Sequence, residues 1–337
     1  MPADRDPISA SLLPESWSAP ERVEDVIDAD GLELHRVGLA SRSPHGEAVG
    51  SAADCEASPA QRCMFELIER IAVIEASNGS LALRAMEATG EPMAVVSREH
   101  VFPTSPRPAV WTYARSSGVA LHSDWRRACE RAEQELVERD RVQRAWLGDI
   151  VPRSIGLSVT SLPLGKTRSY EWLGYSFPAA PEDVFGRGTE VVGIFGFPAA
   201  DKAPLVFGYG ARPSIDEALG TAVREALQQL AFLWGEPLPD RLPDPAPTPM
   251  AHLERFQFPA MHSILRRWLA GEHAGHRRGA ASHLAAVHPR WVDLTPAWLT
   301  GGWRVAKALS TSAIPLTFGE APVFGHLPPE LRIHPIP

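Results

Sequence analysis

Glu66-Leu67-Ile68-Glu69-Arg70 recurs almost unchanged as Glu135-Leu136-Val137-Glu138-Arg139. Residues three and four apart share one face of a helix, so each copy projects two carboxylates side by side, with an arginine one turn after the first. Two such helices facing each other would gather four carboxylates around one volume. Left bare, that cluster is repulsive. A hard divalent cation such as Mg2+, which takes oxygen ligands and bridges to a phosphate, resolves the repulsion. A solvated helix face with ordinary Glu–Arg pairs accounts for a single copy as well, and spacing alone leaves both readings open. The repetition, and the apolar pair lodged between the glutamates each time, weigh towards the site.

The elements that must position these residues are legible in outline. Ser58-Pro59 reads as a helix start, Met64, Phe65, Ile68, Ile71 and Ala72 as its apolar stripe, and Asn78-Gly79 as its end. A second helix runs from Ser123-Asp124 to about Trp146, stopped by Gly148. Ser214 and Glu217 form a capping box for a third, which continues to about Trp234-Gly235. Strands are expected at Ala94–Val96, Ala109–Trp111, Ile155–Leu162, Val191–Phe197 and Leu205–Tyr209, followed by a helix near Pro259–Ala270 and a strand pair at Trp291–Leu294 and Trp303–Leu309. Helices mixed with hairpin-like pairs predict an α+β fold. Residues 1–30 read as a poorly ordered arm and 31–337 as one domain; within it the proline-rich stretch 237–250 excludes helix and central strand and reads as an extended linker or mobile loop, and 325–337 reads as a proline-rich tail.

The chain has 337 residues, a net charge of −8, 32 prolines and a mean hydropathy of −0.13. That composition excludes collagen, coiled coil and wholesale disorder. The acidic balance argues against sequence-independent nucleic-acid binding. Lysine occurs only at Lys166, Lys202 and Lys307, so arginine carries the basic chemistry. Cys55, Cys63 and Cys129 form no CxxC pair, which fits a reduced cytoplasmic setting. The polar amino-terminal residues contain no signal-peptide h-region, and the longest apolar runs are strand-sized, so no membrane association is expected.

Beyond the echo, longer stretches resemble the YcaO family. Glu66–Arg70, preceded by the glycine-bearing segment Gly46–Gly50, is similar to that family's first ATP motif. Ser116–Ala128 running into Glu135-Leu-Val-Glu-Arg-Asp140 resembles the second, where the family reads Ser-Asn-Gly-Leu-Ala ahead of a helix ending Glu-x-x-Glu-Arg-Asp. Gly208–Leu219, followed by Glu225-Ala-Leu-Gln228, resembles the third, and Asp293-Leu-Thr295, Gly302–Val305 and Pro315 fit the carboxy-terminal part. Order and spacing agree from about Gly38 to Pro337.

The resemblance implies an α+β YcaO fold that binds ATP and Mg2+ between glutamate-bearing helices and phosphorylates a peptide backbone amide oxygen after a nucleophile has added. Azolines form in this way from Cys, Ser or Thr in ribosomally made peptides; thioamides and amidines are related products. It further implies Glu66, Glu69, Glu135, Glu138 and Glu225 as metal ligands. Arg70, Arg139, Arg127, Arg131, Ser123 and Gln228 would form the nucleotide shell. The expected partners are a precursor peptide, an E1-like or other leader-binding protein (the chain carries no fused leader-binding domain), and a flavin-dependent dehydrogenase. Azoline-forming members often end in a proline-rich tail that reaches the active site. His334-Pro335-Ile336-Pro337 has that style, with His334 or the terminal carboxylate of Pro337 as proton acceptor.

Several positions depart from the family pattern. Arg62 replaces a serine; Ser123, Arg127 and Arg131 replace asparagine, glutamate and glutamine or histidine; Thr221 replaces an arginine, with Arg224 close by. These departures define a second hypothesis, a scaffold or regulatory subunit that keeps the fold without the nucleotide. Other signals carry less. Gly165-Lys166-Thr167 lacks the glycine a Walker A loop needs at Thr160. His273, His276, His283 and His288 read as a polar loop, Cys63 and Cys129 as core residues, and Trp111, Trp146 and Trp234 as packing groups.

Overall fold

A computed structural model describes residues 13–79, 82–179, 186–199, 203–273 and 290–337. Its first strand lies inside the stretch expected to be an arm. Strand β1 (Glu21–Ala29) pairs antiparallel along its whole length with β2 (Leu32–Ser43) across Asp30-Gly31. Both turn residues have positive φ, 58° and 89°, which is the conformation a two-residue hairpin needs. Charged residues interspersed with Val23, Val26 and Ile27 mask this strand in the sequence, because its first six residues are all exposed.

Strand β3 (Gly46–Asp54) completes a three-stranded antiparallel sheet. Helix α1 (Ala60–Asn78) follows, with Cys63, Met64, Leu67, Ile68, Ile71 and Ala72 buried. Its N-cap is Pro59, without a side-chain cap; Ser58 instead donates its hydroxyl to Glu24 Oε1 at 2.9 Å. Then come β4 (Leu83–Met86), β5 (Pro92–Val96), the short α2 (Arg98–Val101), β6 (Trp111–Tyr113) and β7 (Val119–His122). Helix α3 (Trp125–Trp146) is capped by Asp124, whose side chain accepts from Arg127 N–H.

Next are β8 (Arg153–Ile155), β9 (Tyr170–Ser176), β10 (Glu190–Pro198), β11 (Val206–Arg212) and α4 (Ile215–Leu233). The strand expected over Ile155–Leu162 stops at Ile155, and two 3-10 turns, at Val159–Ser161 and Pro163–Lys166, carry the chain onwards. The capping box holds: Ser214 Oγ accepts from Glu217 N–H. Residues 237–248 form neither helix nor strand, and Pro249 becomes the first residue of α5 (Pro249–Gln257). Helix α6 (Pro259–Leu269) and strands β12 (Arg290–Asp293), β13 (Arg304–Leu309) and β14 (Thr317–Gly319) finish the order.

The sheets are β1-β2-β3, β11-β10-β9-β8, β5-β4-β12-β13-β7 and the pair β14-β6. Helix α1 packs on β3 and reaches β7; α3 packs on β7 and β13 and reaches β11; α4 packs on β11 and β10 and reaches β3. Three helices and three sheets therefore alternate around a closed ring. Close approach is secured by glycine: a Cβ on Gly50 would stand 2.3 Å from the Cys63 carbonyl, and one on Gly208 2.3 Å from that of Ala222.

The carboxy-terminal tail is irregular but not frayed. Leu331, Ile333, His334 and Ile336 are all buried, and Trp146 donates its indole N–H to the Leu331 carbonyl at 2.7 Å.

Candidate functional site

The ring of helices and sheets gives each glutamate its place. Glu66 on α1 accepts the Ser51 N–H of β3 at 2.9 Å, Glu135 on α3 accepts that of Val119 in β7 at 3.1 Å, and Glu225 on α4 accepts that of Tyr209 in β11 at 3.1 Å. The partners lie 15, 16 and 16 residues apart in sequence, so one strand-to-helix device is used three times. Each donor follows a glycine, Gly50, Gly118 or Gly208, which lets strand and helix approach.

The residue three positions later on each helix points to the next sheet round the ring. Glu69 accepts the Leu121 N–H of β7 at 2.6 Å, and Gln228 donates to Ser51 Oγ of β3 at 2.8 Å. Glu138 holds the equivalent place on α3, and its Oε1 is buried with no hydrogen-bond partner. Burial, and then the neighbouring Glu225 carboxylate, push the Glu138 carboxyl up to about 8. Burial, with Glu135 and Glu66 nearby, does the same for Glu69 against its Leu121 hydrogen bond, again to about 8. Glu135 and Glu225 are also raised by burial, although Arg139 pulls both the other way.

Arg139 is the central cation. Its Nη2 lies 3.9 Å from Glu135 and its Nη1 3.7 Å from Glu138, and although burial opposes its charge, the carboxylates of Glu138, Glu135 and Glu225 hold it firmly protonated. Arg70 is more exposed, 3.3 Å from Glu66 and hydrogen-bonded to Ser116.

A second set of cations gathers beside the acids. Burial, Arg131 and Arg224 lower the Arg212 guanidinium to about 10, and burial, Arg62 and Arg131 lower that of Arg224. Arginines that repel one another in this way are ready for an anion. Arg131, Arg212 and Arg224 therefore share one patch of positive charge. Arg127 does not join it: its guanidinium pairs with Glu130 on its own helix at 2.9 Å. Arg62 is likewise tied to Asp54 at 2.6 Å, and Ser123 sits half-buried just ahead of the α3 cap.

His334 is placed close to Arg139 but is not free to take a proton. Its Nε2–H donates to the Thr317 carbonyl at 2.6 Å and its Nδ1 accepts the Ile336 N–H at 3.2 Å. Burial lowers its pKa to about 4. His252 completes the lock, donating from Nδ1 to the His334 carbonyl at 3.2 Å and accepting Gly319 N–H at 2.8 Å. Both ring nitrogens of His334 are thus used to seat the tail, and Pro337 is half-buried beside it. Of the histidine group set aside above, His276, His283 and His288 lie outside the described residues; His273 is buried against Trp146.

Among the described residues no three Asp, Glu, His or Cys side chains are grouped so that they could hold a metal ion by themselves. Mg2+ seldom needs such a cage: it keeps waters and takes one or two carboxylates together with substrate phosphates. An all-oxygen donor set, one orphaned carboxylate oxygen and adjacent unpaired guanidinium charge fit a magnesium–polyphosphate ligand. No described helix is long and apolar enough to cross a membrane.

An α+β ring of this kind, with acids and arginines converging from three helices, defines a phosphate-handling nucleotide site. The family model of the YcaO cyclodehydratases, described as ATP- and Mg2+-binding, matches residues 88–291, and the chain belongs to the YcaO family. ATP and Mg2+ are that family's cofactors. Solved structures share the fold. A YcaO from Methanopyrus kandleri bound with AMPPCP and Mg2+ is 17% identical over 87% of this chain and 85% of its own, with a TM-score of 0.55. A microcin synthetase McbBCD complex from E. coli with pro-MccB17 bound is 12% identical over 86% and 87%, with a TM-score of 0.53. A heterocyclase in complex with substrate and cofactor is 14% identical over 88% of this chain but only 49% of its own, with a TM-score of 0.50. No curated protein matches the sequence.

Proposed function

We propose that this chain binds ATP with Mg2+ among α1, α3 and α4 and activates peptide backbone amides, forming azolines in a ribosomally made peptide. The observation that carries the reading is Glu138, whose buried Oε1 accepts no hydrogen bond among the described residues and meets only the long 3.7 Å ion pair with Arg139. A buried carboxylate so weakly compensated costs stability, and a cation ligand is the natural compensation. ATP with Mg2+ supplies the phosphoryl group that turns an amide oxygen into a leaving group.

The chain's own residues do the rest. Glu138, Glu135 and Glu225 offer their oxygens to the cation, with Glu66 and Glu69 completing the acidic lining. Arg131, Arg212 and Arg224 neutralise phosphate oxygens, Arg139 and Arg70 hold the carboxylates in orientation, and Gln228 fixes Ser51 beneath them. The proline-rich tail at His334-Pro335-Ile336-Pro337, seated close to Arg139, borders the place where the thiol or hydroxyl attacks. The precursor peptide is delivered in the cytoplasm by an E1-like or other leader-binding protein, and a flavin-dependent dehydrogenase can oxidise the product. The solved complexes of relatives with substrate and with partner proteins support that arrangement.

A second reading is a YcaO scaffold that no longer uses nucleotide. It is favoured by Arg62 and Arg127, whose charges are taken up by Asp54 and Glu130. Calorimetric titration with Mg-ATP separates the two. Binding that Glu66→Gln or Glu135→Gln abolishes supports the enzyme; a flat titration at millimolar ATP with the partner present sinks it. Product mass then separates thioamide, in which sulfur replaces oxygen, from azoline and amidine, which both form by loss of water and which acid hydrolysis and fragmentation tell apart.

A further inference from the structure

Beside the carboxylate ring, and lined by none of its glutamates, lies a cavity of about 360 Å3 between the five-stranded sheet, α3 and the chain before β14. Its walls are mainly apolar, formed by Leu136, Val292, Ala308 and Leu316 among others. Tyr113, Ser310 and Thr311 contribute hydroxyls, and two buried polar groups stand out among the lining. Lys307 is 4% exposed and donates to the carbonyls of Arg115 at 2.9 Å and Ser117 at 2.6 Å, with the Phe102 ring 5.5 Å away. An ammonium has three protons, so one is left without an oxygen acceptor among the described residues, and no carboxylate there lies within ion-pair distance. Ser117 is 8% exposed, and its hydroxyl has no hydrogen-bond partner at all.

A buried cation with no ion-pair partner, its nearest opposite charge the more distant Glu135 carboxylate, and a buried hydroxyl without a partner are each costly, and here they adjoin one another at an apolar void. The rim adds His100 and Arg290, both exposed, and the lining contains no acid. We propose that this cavity binds a carboxylate with an apolar body, an aliphatic or aromatic acid, the anion held by Lys307 Nζ and Ser117 Oγ and the hydrocarbon by the walls. Its volume suits a ring or short chain, at the lower end of the range for small-ligand pockets. Two sources share that chemistry, a free organic acid and the carboxy-terminal residue of a peptide. The inference does not depend on ATP binding.

Calorimetry of the full chain without nucleotide tests it, using 3-phenylpropionate, its neutral amide, and a tripeptide ending in phenylalanine as free acid and as carboxamide. The acid should bind about tenfold or more tightly than the amide, as expected for a charge-assisted hydrogen bond. Tight binding of the tripeptide acid assigns the site to a chain end, and binding of phenylpropionate alone assigns it to a free acid. Lys307→Met should abolish binding. Because that variant also frees two buried carbonyls, Ser117→Ala is the decisive partner: the hydroxyl supports nothing in the fold, so thermal stability should stay level or rise while acid affinity falls several-fold. Equal binding of acid and amide, no binding at millimolar acid, or unchanged affinity in Ser117→Ala overturns the proposal.

Discussion

Tyr209 donates its hydroxyl proton to the carbonyl of Pro335 at 3.0 Å, and thereby ties the carboxy-terminal tail to the strand whose amide holds Glu225. The phenol is fully buried, and burial raises its pKa well above the ordinary value, so it remains a donor at any working pH. One residue thus links the carboxy-terminal tail to the acidic ring. Tyr209→Phe keeps the ring packing and removes the bond, leaving the Pro335 carbonyl unsatisfied. A loss of about 1–2 kcal/mol in urea unfolding is expected, together with faster removal of the last residues by carboxypeptidase. Equal tail protection in the variant would show that Ile333 and Ile336 seat the tail unaided.

The glycines preceding the three amide donors make a sharper pair of predictions. A methyl on Gly208 would stand 2.3 Å from the Ala222 carbonyl and 2.6 Å from the Ala226 nitrogen, both backbone atoms that cannot step aside. Gly208→Ala must push β11 off α4, at a cost of about 2–4 kcal/mol, and carries the Tyr209 amide away from Glu225. Gly220, within α4, faces open space. Gly220→Ala should therefore stabilise the protein by about 0.5–1 kcal/mol through helix propensity. Thermal melts of the two variants moving in the same direction would contradict the packing argument.

These glycines also show where the sequence was readable. The Glu66 and Glu135 pentapeptides announced two helices by residue type, and the capping box at Ser214 announced the third. The three-fold repetition did not show, because Glu225 is followed by Ala-Leu-Gln rather than by the echo. The shared signal is instead a glycine-led strand amide about one helix register upstream. The hairpin at Asp30-Gly31 was legible in principle, since an Asp-Gly pair marks a tight turn, but the charged outer strand resembled a disordered arm. His334 was misjudged for a different reason. A histidine's role depends on what its two nitrogens meet, and Thr317 and Ile336 meet them only through the folded tail. Likewise, nothing in composition reveals that Arg127 turns to Glu130 while Arg131, one turn on, faces Arg212.

Glu138 separates stability from function. Burial and the Glu225 carboxylate push its carboxyl up to about 8, and its Oε1 accepts no hydrogen bond, so the fold disfavours its ionisation. Glutamine mimics that protonated acid in shape. Glu138→Gln, which carries no titrating proton, should match the wild type near pH 4.5 and become more stable than it as pH rises towards about 8, by about 1.4 kcal/mol per pH unit, with no further gain above. Affinity for Mg-ATP should fall at least about tenfold, because even outer-shell partners of a metal are worth that much. Chemical denaturation and calorimetry on the same preparations read both effects. An unstable variant with intact nucleotide binding would assign Glu138 a purely structural role.

The buried acids and histidines act on stability in opposite directions as pH changes. Glu69 and Glu138 keep their protons up to about 8 in the folded chain, whereas an unfolded glutamate releases its proton near 4.5. Between those values the folded state holds more protons, so this contribution to stability falls as pH rises. His334 is held at about 4 against an unfolded value of 6.5, and His252 is also lowered. Over that interval the unfolded state holds more protons, so the histidine contribution grows with pH and is complete by 6.5. The two effects offset each other below pH 6.5, and only the glutamates act between 6.5 and about 8. Urea unfolding of the nucleotide-free protein should therefore show stability declining by about 2–3 kcal/mol per pH unit across that upper window, about 1.4 from each acid. Mg-ATP, which requires the ionised carboxylates, should bind more tightly over the same window and cancel the decline. The double variant Glu69→Gln/Glu138→Gln should lose both the slope and its reversal, and a wild-type profile flat from pH 6.5 to 8 would mean that these acids are already ionised in the free protein.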